Sequence, residues 1–249
     1  MTSLLRVDGL VADHGLLHAV RDLSLSVEEG EVLALVGANG AGKSTLLRTL
    51  AGAHPASGGT IHFDGADITG VPAHRRVGLG LALVPEGRKL FPEMTVEENL
   101  MVAGRRARPG QWNLSTVLDA FPMLVPIRRK RAENLSGGQQ QAVSIGRALM
   151  TNPRLLLIDE VSLGLSPVAV DMVYESLSAL ITAGATLVLV EQDLRRALSV
   201  ADRVVCMLEG RVVLQSPTSA VTRDQVTQAY FGLSRTPSVP ADRPLPERT

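Results

Sequence analysis

The chain has 249 residues, of which 45% are hydrophobic and 20% charged, so it has an ordinary globular composition with material for a sizeable core. Its 25 basic residues balance 25 acidic ones, and this zero net charge argues against a nucleic-acid partner. The single cysteine, Cys206, excludes an internal disulfide, and no run approaches the roughly 18 to 20 apolar residues that cross a bilayer. We therefore expect a soluble protein that serves a membrane only through a partner.

Short apolar runs bounded by turn residues predict strands along most of the chain. Three of them suggest a small antiparallel sheet, at residues 4–7, 19–27 and 60–63. Five others are largely apolar, at 31–36, 79–84, 155–158, 186–190 and 203–208. Because helical patterns alternate with this second set, at 44–51, 139–150 and from 170 to Gly184, it predicts a mostly parallel sheet.

Two further stretches have a distinct character. Residues 95–150 read as helical, and Thr95 with Glu98 has the spacing of a capping box that begins a helix. Residues 236–249 contain four prolines and little that could pack. We therefore expect a disordered tail at 236–249 after one folded domain at 1–235.

A glycine-rich loop between the strand at 31–36 and the following helix has the full phosphate-loop pattern G-x-x-x-x-G-K-[ST]. Its residues are Gly37, Ala38, Asn39, Gly40, Ala41, Gly42, Lys43 and Ser44, with Thr45 next in the helix. A strand, a glycine turn and a helix N-terminus together aim backbone N–H groups at an anion. Lys43 can then reach the β- and γ-phosphates and the Ser44 hydroxyl can ligate Mg²⁺. The loop predicts binding of ATP with Mg²⁺.

A pair of acids ends the apolar strand at 155–158. In an enzyme with a phosphate loop, the first acid, Asp159, supports Mg²⁺. The second acid, Glu160, is placed to orient and deprotonate the attacking water. An acid pair at a strand end is weak evidence alone, but with an intact phosphate loop it predicts a nucleotide hydrolase.

The run Leu-Ser-Gly-Gly-Gln at 135–139 precedes a helix and forms a second candidate anion cradle. The order phosphate loop, LSGGQ, strand-Asp-Glu resembles the ATP-binding-cassette (ABC) ATPases from about residue 3 to 233. The resemblance implies an α/β P-loop cassette: a RecA-like, mostly parallel sheet core, an antiparallel β subdomain and an α-helical subdomain at about 87–150. It also implies four contacts to the γ-phosphate held by a second subunit, from Ser136, Gly137, Gly138 and Gln139.

Two positions depart from the usual ABC sequence pattern: Glu86 stands where Gln is usual, and Gln192 where His is usual. However, residues 80–100 (GLALVPEGRKLFPEMTVEENL) and 189–193 (LVEQD) resemble the second ATPase subunit of Liv-type importers, whose members carry Glu and Gln there. This resemblance implies that Glu86 binds Mg²⁺ or water and that Gln192 hydrogen-bonds the γ-phosphate. A Gln amide does not titrate near pH 7, so Gln192 acts by hydrogen bonding. The implied catalytic residues are Lys43, Glu160 and Gln192.

Two more departures bear on the site. His14 occupies the position where the family usually has a Tyr that stacks on adenine, and its smaller ring should hold the base less well. Val161 follows the catalytic acid where Pro is usual, which removes rigidity but no chemical group. We expect activity to survive both changes.

The resemblance implies an ATPase subunit that powers an importer for branched-chain or other hydrophobic amino acids from the cytoplasmic face of the membrane. Its implied partners are membrane permease subunits, a second ATPase subunit (identical or different) and, indirectly, an extracellular or periplasmic substrate-binding protein. Residues 86–135 should face the permease, with Phe91 as a candidate anchor.

Three other functions remain to be weighed. An importer of urea or short amides fits the same cassette, because the cassette does not contact the solute. A nucleotide-dependent clamp with little turnover is motivated by the departures at His14, Glu86 and Gln192, although Lys43, Asp159 and Glu160 argue against it. A DNA-repair or ribosome-associated ABC protein is disfavoured, because Ser44 and Ser136 are only 92 positions apart and leave no room for a coiled arm.

Overall fold

The fold is described from a computed structural model, which places residues 3–105 and 107–233. The strands are β1 Leu5–His14, β2 Leu17–Val27, β3 Val32–Val36, β4 Gly58–Phe63, β5 Ala66–Asp67, β6 Leu81–Val84, β7 Leu155–Ile158, β8 Thr186–Val190, β9 Arg203–Leu208 and β10 Arg211–Pro217. The helices are α1 Lys43–Leu50, α2 Ala73–Leu79, α3 Val96–Gly104, α4 Leu114–Ala120, α5 Gly137–Leu149, α6 Pro167–Thr182, α7 Leu194–Val200 and α8 Arg223–Tyr230. Short 3₁₀ helices lie at Pro122–Ile127, Ala132–Asn134 and Thr218–Ala220. The tail predicted at 236–249 lies outside the described residues.

The larger sheet has the order β10-β9-β3-β8-β7-β6, and within it only β10 pairs antiparallel to its neighbour. Every residue of β3, β7 and β8 is buried, as expected for parallel strands covered on both faces. The four-stranded sheet β2-β1-β4-β5 is antiparallel throughout. The predicted α/β fold with a mostly parallel core and a small antiparallel sheet is confirmed.

Two hydrophobic cores lie on opposite faces of the parallel sheet. In β3, Leu33 and Leu35 belong to the core shared with β1, β2, β4 and α1. The alternate residues Val32, Ala34 and Val36 belong to the core shared with the helices α3 to α8. This alternation follows the two-residue period of a strand. The loop after β3 therefore begins at the end of a strand that is packed on both faces.

The helical stretch begins where the sequence predicts it. The Thr95 hydroxyl accepts a hydrogen bond from Glu98 N, and Thr95 N donates to the Glu98 carboxylate, which completes the capping box. Helix α3 then packs with α5. The separation of 87–150 as a helical subdomain stays a prediction. None of the helices that the structure describes is both long and apolar enough to cross a membrane.

Two predicted strand boundaries are clearly wrong, and several elements are not predicted. The strand predicted at 4–7 continues as β1 to His14. The strand predicted at 79–84 begins only at Leu81, because Leu79 ends α2 and Gly80, with φ of 107°, caps that helix in the left-handed conformation. The sequence analysis misses α2, β5, α7, β10, α8 and the 3₁₀ helix at Thr218–Ala220. Cys206 is buried, as expected, and burial raises the pKa of its thiol to about 11.

Candidate active site

The glycine-rich loop turns from the end of β3 into α1 in a space that excludes side chains at two positions. Gly42 caps α1 with φ of 99°, and a Cβ there would lie 2.0 Å from the carbonyl oxygen of Ala19 in β2. Gly37, with φ of 152°, would place a Cβ 2.3 Å from the carbonyl oxygen of Met207 in β9. Neighbouring strands therefore hold the loop in one shape, and only glycine fits both points.

Lys43 is buried at the start of α1, with its ammonium folded over the loop. Its Nζ donates to the carbonyl oxygens of Gly37 at 2.7 Å and Ala38 at 3.0 Å. An ammonium has three donors, so one stays available to a ligand. Burial lowers the pKa of Lys43, while the carboxylates of Glu160 and Asp159 act in the opposite direction. The loop thus presents a fixed cation beside its backbone N–H groups.

Ser44 and Asp159 join the phosphate loop to the end of β7. The Ser44 hydroxyl donates to Oδ1 of Asp159 at 2.9 Å, whereas Oδ2 of Asp159 is buried and has no hydrogen-bond partner. Burial raises the pKa of Asp159, and the Ser44 hydrogen bond opposes that shift. A hydroxyl and an unpaired carboxylate oxygen are the hard ligands that Mg²⁺ prefers, so these residues fit the ion. No group of three His, Cys, Asp or Glu side chains suited to a metal is found among the described residues.

Glu160 follows Asp159 in a strained conformation, with φ of 53° in the left-handed region that non-glycine residues rarely adopt. Its Oε1 accepts a 2.9 Å hydrogen bond from Nε2 of Gln192, which lies just beyond β8. The strain is typical of active-site residues, and here it accompanies a contact that fixes one carboxylate oxygen.

Glu86 follows β6 and lines the same cleft. Its carboxylate lies 3.8 Å from the guanidinium of Arg48 in α1, and both side chains are almost half exposed. The pair is long and solvated, so it holds Glu86 only weakly. Glu86 therefore presents a weakly held carboxylate to the cleft, a group that would suit Mg²⁺ or water.

His14, at the end of β1, forms the outer wall of the cleft. Its Nε2 lies 3.2 Å from the Thr45 hydroxyl, and its ring lies 4.5 Å from the ring of His54 with a tilt of 46°. His54 is itself anchored through a 3.0 Å hydrogen bond between Nε2 and the carbonyl oxygen of Asp13. The supporting ring keeps His14 at the mouth of the cleft, where it can present a face to a base.

These residues enclose a cleft of about 400 Å³, large enough for a nucleotide. The predicted residues that line it are His14, Asn39, Gly40, Gly42, Lys43, Ser44, Thr45, Glu86, Glu160 and Gln192. Gly37, Ala38 and Ala41 shape the loop from behind, and Asp159 lies beneath Ser44. The cleft also has three residues that the sequence analysis missed, Leu17, Ala19 and Leu163. Leu17 could have been predicted only if the pairing of β1 with β2, which brings it to the cleft, had been known.

The other predicted anion cradle does not reach this cleft. Ser136 caps α5: its hydroxyl accepts from Gln139 N, and its own N–H donates to Oε1 of Gln139 at 3.0 Å. A Cβ on Gly138 would lie 2.8 Å from the Cβ of Ala169, so glycine is needed for the close packing of α5 on α6. Ser136 is exposed at this helix start, whereas Gly138 is buried. The chain therefore carries two anion-compatible helix starts at separate places.

A phosphate loop between a buried parallel strand and a helix, with an acid pair at the end of a second strand, defines a P-loop nucleotide-binding protein. Comparison with known families narrows the class: the chain belongs to the ABC transporter family, whose model matches residues 20–162. Membership places it among the ATP-hydrolysing cassettes that power transport.

Relatives and solved structures agree with this placement. The chain is 41% identical over 232 residues to the high-affinity branched-chain amino acid transport ATP-binding protein BraG of Pseudomonas aeruginosa, covering 92% of this chain and 100% of that protein. It is 34% identical to the probable branched-chain amino acid transport ATP-binding protein LivF of Archaeoglobus fulgidus, over 84% of this chain and 90% of that one. A crystal structure of a nucleotide-free ATP-binding cassette from an ABC transporter matches with a TM-score of 0.80 at 27% identity, over 92% of this chain and 99% of that chain.

Proposed function

We propose that this chain is the ATP-hydrolysing subunit of an importer for branched-chain or other hydrophobic amino acids. The observation that carries the amino-acid assignment is the 41% identity to BraG across the whole of that relative. The cleft that joins Lys43, Ser44, Glu160 and Gln192 supports hydrolysis rather than a clamp without turnover. The chain would act at the cytoplasmic face of the membrane, bound to permease subunits.

Each residue of the cleft has a role that follows from its position. The loop N–H groups and the free donor of Lys43 hold the β- and γ-phosphates. Ser44 and the unpaired Oδ2 of Asp159, with Glu86 beside them, would hold Mg²⁺, which neutralises charge that develops on the phosphates. Glu160 takes the proton of the attacking water as general base, because Gln192 holds its carboxylate at the cleft. The remaining group, His14, stacks on adenine.

We infer a second cassette as partner from the place of the second anion cradle, at 135–139. Ser136 and the glycines after it are absent from the lining of the cleft, so another subunit has to supply the matching helix start. Leu163, at the rim, is 48% exposed and Val168 at the start of α6 is 70% exposed. Exposed apolar side chains of this kind favour a protein–protein interface next to the bound nucleotide.

We infer the permease contact from the way in which Phe91 is held. Its side chain is 48% exposed, yet its backbone N–H and carbonyl both bond the buried amide of Asn99, at 2.9 and 3.0 Å. The Arg147 guanidinium lies 5.8 Å from the ring centroid and is itself bonded to the carbonyl oxygens of Arg88 and Lys89. A rigid, exposed aromatic beside a groove of about 260 Å³ suits the insertion of a short helix from the permease.

The first test compares Mg²⁺-dependent ATP hydrolysis by the wild-type chain, Glu160→Gln and the exposed control Glu175→Gln. We expect Glu160→Gln to lose at least about a hundredfold in rate with its ATP affinity kept, and Glu175→Gln to match wild type. Equal rates for wild type and Glu160→Gln would overturn the assignment of the base. Light scattering of Glu160→Gln with and without Mg-ATP then shows whether two copies suffice for a dimer or a different cassette is needed.

The second test concerns the solute. The chain is reconstituted in liposomes with its permease subunits and substrate-binding protein, and ATP hydrolysis is measured with leucine, valine or urea. Stimulation by the branched-chain amino acids alone supports the proposal. Stimulation by urea alone assigns the cassette to an amide importer instead.

A further inference from the structure

Glu191 lies between the last residue of β8 and Gln192, and only 1% of it is exposed to solvent. A buried carboxylate is costly unless several donors satisfy it. None of the roles described for the cleft uses this group. It therefore calls for a physical explanation of its own.

The Glu191 carboxylate accepts hydrogen bonds from two different loops. From the loop after Glu160, Ser162 donates its N–H at 3.1 Å and its hydroxyl at 2.9 Å. From the loop after β8, the N–H groups of Gln192 and Asp193 donate at 3.0 and 3.4 Å. Four donors therefore converge on one carboxylate that connects the two loops.

These contacts complete a ring that includes the general base. Gln192 Nε2 bonds Glu160, the chain runs from Glu160 through Val161 to Ser162, Ser162 bonds Glu191, and Glu191 is covalently joined to Gln192. A closed ring of this kind moves as one body, because displacement of either loop breaks a charge-assisted hydrogen bond. The strained φ of Glu160 is held from both sides by the same ring.

Tyr174 of α6 lies near the same carboxylate. Its ring is packed under the Arg196 guanidinium, and its hydroxyl is buried without a hydrogen-bond partner. Burial and the nearby Glu191 carboxylate raise the pKa of Tyr174, so the hydroxyl keeps its proton and remains a donor. The hydroxyl makes no hydrogen bond to Glu191, so the four donors of the two loops are the ones that satisfy the carboxylate.

We propose that Glu191 is a positioning residue that locks the loop of Ser162 to Gln192, so that the base and its hydrogen-bond donor enter and leave the cleft together. The inference rests on the proposed roles of Glu160 and Gln192. Ser162 is the residue of the loop after Glu160 that this lock holds. Neither residue needs to touch the nucleotide.

The test uses Glu191→Gln and Ser162→Ala in the full chain, with Glu175→Gln as matched control. Glu191→Gln keeps the size of the side chain but turns an amide N–H₂ toward N–H donors, so we expect kcat to fall at least about tenfold and the ATP affinity to stay within about twofold. Ser162→Ala removes one of the four hydrogen bonds, and we expect a fall of about threefold. A kcat within twofold of wild type for Glu191→Gln overturns the proposal.

Hydrogen exchange measured by mass spectrometry without nucleotide separates positioning from a merely structural role. In both variants, peptides that cover 160–166 and 190–194 should exchange faster together, while the peptides of α1 stay unchanged. Faster exchange in only one of the two loops contradicts the proposal. If Glu191→Gln does not fold, Ser162→Ala and Glu191→Asp decide by the same criterion. If wild type itself fails to hydrolyse ATP, the proposed function is wrong, whereas the exchange experiment still tests the linkage.

Discussion

The Ser44 hydroxyl and the Asp159 carboxylate meet at 2.9 Å although 115 positions separate them in the chain. The contact fixes the first turn of α1 against the end of β7, two strands away from β3 in the sheet. It leaves the second oxygen of Asp159 buried and unpaired. The fold thus accepts a local cost at the place where the proposed function needs a ligand for Mg²⁺.

The first prediction concerns Asp159→Asn. Burial raises the pKa of Asp159, so its favourable contribution to stability is present below the unfolded value of 3.8 and is lost as the pH rises through the folded pKa. At pH 7 the ionised group opposes folding, and the neutral amide should increase the free energy of unfolding by about 1 kcal/mol without Mg²⁺ or nucleotide. Mg²⁺-dependent hydrolysis should be lost.

Urea denaturation at pH 7 and pH 5 measures this effect, with the exposed Asp119→Asn as control. The gain should shrink as the pH falls and should be absent in the control. A stability loss of Asp159→Asn at both pH values would mean that the carboxylate is already satisfied in the folded protein.

A second prediction compares two glycines of the phosphate loop. Gly42→Ala forces a Cβ to within 2.0 Å of a backbone carbonyl at φ of 99°, whereas Gly40→Ala has a φ of 81° but no atom within 4 Å of its Cβ. Backbone strain alone should cost Gly40→Ala about 1 to 2 kcal/mol, and Gly42→Ala should lose about 3 kcal/mol or more. Urea denaturation without nucleotide gives both values. Equal losses would show that the loop can move away from β2.

The sequence predicts an element well where its residues form a clear local pattern of apolar and polar side chains, and poorly where they do not. The bounds of β7, β8 and β9 are predicted because buried parallel strands are continuous apolar runs. Edge strand β10 alternates half-buried and exposed residues and ends in Pro217, and α7 has a single buried residue, Ala197, so neither produces a clear pattern.

In the candidate site, the phosphate loop and the acid pair are contiguous sequence motifs, so both can be predicted from neighbouring residues. The ring through Glu191 is different. Ser162 and Glu191 are 29 positions apart, and only the pairing of β7 with β8 brings them together. Likewise, the support that His54 gives to His14 depends on how α1 packs against β1. Contacts between loops at a sheet edge need the register of the strands, which residue spacing does not supply.

A third prediction tests whether His14 stacks on the adenine ring of ATP. If His14 stacks on adenine, His14→Ala should weaken ATP binding about fivefold, which corresponds to roughly 1 kcal/mol of stacking, and should leave kcat nearly unchanged. His14→Tyr should restore or improve the affinity. Fluorescence titration with an ATP analogue measures the dissociation constant, and the exposed His74→Ala serves as control. Unchanged affinity in His14→Ala would show that His14 does not contact the adenine.

The last prediction uses the 2.9 Å contact between Gln192 Nε2 and Glu160 Oε1. Gln192→Glu replaces the donor with a carboxylate, and two carboxylates at this distance share a proton near neutral pH. The shared proton blocks the base, so hydrolysis at pH 7 should fall at least about tenfold, and the pH–rate profile should move to higher pH. Gln192→Asn is the matched control, because it loses the contact through its shorter side chain but adds no charge. It should lower the rate without moving the profile. Identical profiles for the two variants would show that Gln192 does not act on Glu160 during hydrolysis.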